Sequence, residues 1–118
     1  MAVNPEALRI VEQAASRQGA YDGTIRTPEG PQTVSRYATV RGIGDKALVT
    51  VVTHPAVLGK TVHTKHVSLG KPSAARVKTD AFVTTIFDAH RALVRALQDG
   101  AAAPEMAPLP PQGPASQG

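Results

Sequence analysis

Eight basic residues lie between positions 33 and 78: Arg36, Arg41, Lys46, Lys60, Lys65, Lys71, Arg76 and Lys78. One acid, Asp45, stands among them, so the stretch carries +7 with His54, His63 and His66 uncounted. The rest of the 118-residue chain has five bases against eight acids, or −3, and the whole comes to +4. Ammonium and guanidinium groups at this density can neutralise phosphates. Each such contact releases counterions and gives affinity without selecting a sequence. The middle third therefore predicts an anionic partner, nucleic acid above all, with these eight residues as candidate contacts. Tyr37 is the one aromatic in the stretch. Single-strand binders stack bases on several aromatics, so duplex DNA gripped by its backbone is favoured.

Other chemistries find little support. Gly59-Lys60-Thr61 resembles the end of a phosphate-binding loop, but that motif needs a glycine where His54 stands. Gly42-x-Gly44 is followed by Ala47, not by the third glycine of a dinucleotide fingerprint. His54, His63 and His66 could ligate zinc or copper. On a strand, however, His63 and His66 point to opposite faces, and no Cys, Asp or Glu nearby completes a set. Surface histidines on a basic sheet are the simpler account. His90 falls on an apolar helical stripe, which suggests a buried histidine bonded to backbone. Asp88 faces elsewhere, so no catalytic pair is evident. Ser16, Ser35, Ser68 and Ser73 lack a nucleophile-elbow setting, and the acids show no paired-carboxylate spacing. We therefore expect no enzyme, no cofactor and no small-molecule substrate.

The elements that must carry the bases can be read from pattern. Residues 4–18 predict a helix: Asn4 is a good N-cap, Pro5 suits the first turn, and Leu8, Val11 and Ala15 form a stripe. Gly19 is its expected stop. Residues 20–32 are rich in turn signals, with at most a short strand at 24–27. Strands are predicted at 33–41, 47–53 and 61–69, with a hairpin turn at 42–45. Residues 71–78 read as a basic connector. Residues 80–99 form the clearest helix, capped by Thr79 or Asp80, with Phe82, Val83, Ile86, His90, Leu93, Val94 and Leu97 on one stripe. Five prolines in residues 101–118 predict a disordered tail. The expected fold class is α+β: a helix, a three- or four-stranded antiparallel sheet and a C-terminal helix, in one domain over 1–100.

Composition sets bounds. Hydrophobic residues make up 42% of the chain but aromatics only 3%. The core must be built from Val, Ile, Leu and Ala, near the size where burial is barely adequate. A homodimer is a natural expectation. Cysteine is absent, which excludes disulfides and thiolate sites. No run approaches ~18 apolar residues, and the first residues lack a basic-then-apolar signal. A soluble cytoplasmic protein without a membrane partner is expected.

The run from Val40 to Val51, VRGIGDKALVTV, resembles the hairpin of the YbaB/EbfC nucleoid-associated family. FVTTIFDAHRAL, residues 82–93, is similar to that family's final helix, with Asp88-Ala89 matching and Phe87 departing. Met106 and Leu109-Pro110-Pro111 resemble its Pro-rich C-terminus. The resemblance implies a dimeric helix, three-strand, helix protein that binds DNA and is not an enzyme. Residues 20–32 and the longer turn at 56–61 depart from the pattern. An alternative expectation is a structural or assembly subunit of a multi-protein particle, for example a viral one, whose basic face meets an acidic neighbour.

Overall fold

The computed structural model describes residues 4–17 and 19–100. The expected tail at 101–118 lies outside the described residues. Six elements follow one another: α1 (Pro5–Ser16), β1 (Tyr21–Thr27), β2 (Gly30–Ile43), β3 (Lys46–Val57), β4 (Lys60–Ser68) and α2 (Pro72–Gln98). The fold is α+β, as the sequence predicts.

Local chemistry sets the boundaries. Asn4 Oδ1 accepts from the backbone N–H of Glu6 at 3.0 Å and of Ala7 at 3.2 Å, which starts α1. Gly19, at φ +76°, returns its N–H to the Ser16 carbonyl at 2.9 Å and ends it. Gly44 (φ +64°) and Asp45 turn β2 into β3. Leu58 (φ +52°) and Gly59 (φ +81°) turn β3 into β4.

The sheet is antiparallel in the order β1-β2-β3-β4. Residues 20–32 hold a full strand where the sequence suggested mainly turn. Asp22-Gly23 sits inside β1, paired with Ser35 and Val34. Pairing to β2 overrides its turn propensity. The resemblance implied three strands, and β1 is the additional one. β3 runs past Pro55 to Val57, where the sequence reading stopped at Thr53. An irregularity in the β3–β4 register between Val52 and Val57 accommodates the interruption.

The last helix also differs from expectation. Residues 71–78 are not a connector, because α2 begins at Pro72. Its N-cap is Lys71, which supplies no side-chain cap. Proline at the first position opens the helix, and buried Ala75 and Thr79 extend its inner stripe backward. Thr79 is thus an interior residue of α2 rather than its cap. Gly100, at φ +79°, follows the helix end.

Both helices pack on one face of the sheet. Ala47, Val49, Val51, Val57 and Val67 are buried there against Ala7, Val11 and Ala15 of α1 and Val83, Ile86, Phe87 and Leu93 of α2. An exposed ion pair of 3.0 Å between Arg17 and Asp80 links the helices. Such pairs contribute about 0–1 kcal/mol. The valine core supplies most of the cohesion, at roughly 1.5–3 kcal/mol per buried side chain. Among the described residues, no helix is long and apolar enough to cross a membrane.

Leu58 is a leucine in the left-handed region, where a side chain costs roughly 1–2 kcal/mol. It is 52% exposed, so little packing is at stake. Leu58→Asn is expected to raise unfolding stability by about 1 kcal/mol, since asparagine tolerates this conformation. A denaturant midpoint that stays put or falls would contradict this.

Candidate functional site

Strand alternation divides the basic residues before any ligand is considered. Residues directly opposed in the ladder share a face. Arg36 pairs with Thr53, and Arg41 with Leu48. Thr53 is buried under the helices, so Arg36 lies on the covered face and Arg41 on the open one. Lys46 opposes Ser68, and His66 opposes Leu48, which places both on the open face. Lys65 opposes Val49 and His63 opposes Val51, on the covered face at the sheet edge.

Arg36 is engaged internally. Its guanidinium donates to His90 Nδ1 at 3.1 Å. It lies 4.9 Å from the centre of the Tyr21 ring and 6.0 Å from that of Phe87. His90 Nε2 lies 3.0 Å from the His54 carbonyl oxygen. A guanidinium can only donate and a carbonyl can only accept, so His90 is neutral with its proton on Nε2. Burial lowers the His90 pKa, more than the backbone bond to His54 raises it, and the nearby Arg36 charge lowers it further. Burial, and then the Arg91 charge, lower the Arg36 pKa from its ordinary value. Arg36 therefore acts as a structural bridge between β2 and α2. His90 is the buried, backbone-bonded histidine that its place on the stripe suggests.

A second group of bases converges at the β4 edge. A cavity of about 490 Å³ opens between β4 and α2, with Leu58, His63, Lys65, Lys78, Phe82 and Thr85 among its walls. A neighbouring cavity of about 350 Å³ is lined by Ser68, Gly70, Lys71, Ala74, Ala75 and Lys78. Lys78 borders both, so the two form one groove rimmed by Lys65, Lys71 and Lys78. Among the described residues, no carboxylate lines either part. Lys71 and Lys78 are seven residues apart, about two turns along one helix face and roughly 10 Å in rise. Arg76 lies about 200° from Lys78 around the helix, away from the groove. Lys60 opens β4 beside the Leu58-Gly59 turn, and its carbonyl lies 3.2 Å from His63 Nε2.

The eight candidates thus separate. Lys65, Lys71 and Lys78 share a groove, with Lys60 near its end. Arg41 and Lys46 lie on the open sheet face, Arg76 on another flank of α2, and Arg36 inside. Sequence reasoning did not find the groove's apolar floor, Phe82 and Ile86, or the place of His63 in its wall. The i, i+2 relation of His63 to Lys65 was the available signal. Among the described residues, no group of three or more His, Cys, Asp or Glu is placed to hold a metal.

The depressed His90 pKa has a defined consequence. Above the unfolded value of about 6.5, both states are neutral there and the group adds no pH dependence. As pH falls below it, the unfolded chain binds the proton first and native stability declines, by up to about 1.4 kcal/mol per pH unit at this site. His90→Gln should remove that part of the slope in unfolding experiments between pH 5 and 7. An unchanged slope would contradict this assignment.

Compared with protein-family models, curated proteins and solved structures, the chain matches none. The functional reading therefore rests on the geometry of this chain.

Proposed function

We propose that the protein is a non-enzymatic nucleic-acid-binding module that grips phosphates, foremost those of duplex DNA, along the β4–α2 groove. One observation carries the reading. Three lysines of the basic stretch, one from a strand and two from the start of a helix, rim a groove that no carboxylate of the described residues lines. Lysines on such a rim act as point charges toward one phosphate strand, giving affinity without base readout. Arg41, Lys46 and Arg76 contribute a weaker surrounding field. A cytoplasmic location belongs to this reading.

A second reading, a subunit of a larger protein particle, is favoured by the uncovered sheet face. Tyr37, Ile43 and Val62 stand 42%, 41% and 49% exposed. A large assembly with no affinity for duplexes would select it.

Fluorescence anisotropy with unrelated duplexes distinguishes the two. Three phosphate contacts give a log–log salt slope near −2.7, or roughly a 40-fold loss of affinity from 50 to 200 mM salt. The triple variant Lys65→Ala, Lys71→Ala, Lys78→Ala should abolish most binding and flatten that slope. Arg41→Ala with Lys46→Ala should cost far less. Salt-insensitive binding, or equal losses in the two variants, would contradict the groove as the site.

A further inference from the structure

Phosphate contacts at the rim of the β4–α2 groove leave its larger cavity without a role. At about 490 Å³, that cavity falls within the roughly 300–1,000 Å³ of small-molecule sites. Its floor is apolar: Phe82 and Ile86 of α2, with Ala81 beside them and Leu58 at the β3–β4 turn. Leu58 is 52% exposed and Phe82 half-buried. A phosphate gains nothing from such a surface, whereas an apolar group is driven onto it. The polar atoms of the wall narrow the chemistry further. Thr85 Oγ1 donates to the Ala81 carbonyl at 2.8 Å. His63 Nε2 lies 3.2 Å from the Lys60 carbonyl oxygen, which can only accept. Both groups are engaged by the protein's own backbone. The lysines of the wall are Lys65 and Lys78, both exposed. Asp80, two residues after Lys78, is paired with Arg17, and no carboxylate of the described residues lines the cavity. An inserted nucleobase needs partners for its hydrogen-bonding edge. An alkyl chain needs none.

We propose that this cavity binds a monomeric alkyl carboxylate, with its head at Lys65 and Lys78 and its chain over Phe82 and Ile86 toward Leu58. The topology separates these two ends. α2 folds back along β4, so Lys78 lies toward the end of β4 and Ile86 toward its start, where Leu58 stands. Eight residues of helix from Lys78 to Ile86 rise about 12 Å, the extended length of a chain of about ten carbons. The charge is complementary at one end only, and the apolar surface lies at the other. That polarity matches a single-chain amphiphile and fixes which way round it lies. A cationic amphiphile would set its head against two ammonium groups. The site stands whether or not a duplex uses the rim, so its test contains no nucleic acid.

The test is NMR titration of the full chain with decanoate, kept below its micelle concentration. Saturable one-to-one binding with a Kd below about 1 mM is expected, with amide shifts centred on Leu58, Phe82 and Ile86. Octanoate should bind roughly fivefold more weakly, since it buries two fewer methylenes in an open groove. Decyltrimethylammonium should not bind. Lys65→Gln with Lys78→Gln should raise the decanoate Kd roughly fivefold, as expected for two exposed ion pairs. Leu58→Asn should raise it roughly threefold by removing apolar wall. That variant is expected to gain stability, so its weaker binding cannot come from unfolding. Arg41→Gln with Lys46→Gln, on the open sheet face, should bind as the parent chain does. No saturable binding, equal binding of the cationic amphiphile, or an unchanged Kd in the Leu58 or double-glutamine variant would overturn the proposal. So would association with anionic phospholipid vesicles but not with monomeric decanoate.

Discussion

Among the described residues, the structure depends on a sheet covered on one face only. Two helices must bury the apolar residues of that one face, and the chain has few large side chains with which to do it. Valines at alternate positions of β3 solve this: Val49, Val51 and Val57 are fully buried, while Leu48, Thr50 and Val52 face the other way. The same two-residue period sorts the basic residues. Five positions separate Arg36 from Arg41, and an odd spacing puts them on opposite faces. A sequence that looks uniformly basic becomes three surfaces once the pleat is imposed.

Arg36 shows how this sorting changes a residue's meaning. Its charge belongs to the basic stretch, but its side chain lies between two aromatic rings and bonds to His90. His90 in turn bonds to the His54 carbonyl. The chain of contacts ties β2, α2 and β3 together across the sheet. A charge-assisted bond of this kind is stronger than a neutral one. It also fixes the neutral tautomer of His90. Among the described residues, Lys65, Lys71 and Lys78 make no comparable bond, and they stand at the rim of a groove.

Much of this was legible. Asn4-Pro5 marked the start of α1, and the valine run marked β3, because capping and alternation are local signals. What was missed depended on partners. Asp22-Gly23 reads as a turn until β2 lies beside it. The first two turns of α2 read as a connector because Lys71, Arg76 and Lys78 dilute the apolar stripe and leave Ala75 and Thr79 as its inward residues. Reading them as helix would have shown Lys71 and Lys78 on one face and Arg76 on another. The groove itself was not legible, since it exists only where α2 folds back along β4.

On the proposed function, the β4–α2 groove, not the open sheet face, receives phosphate. Amide chemical-shift mapping by NMR during titration with a short duplex at low salt tests it most directly. The account predicts the largest changes at residues 63–65 and 70–78. Changes concentrated at Arg41, Lys46 and His66, or none at all, would contradict it.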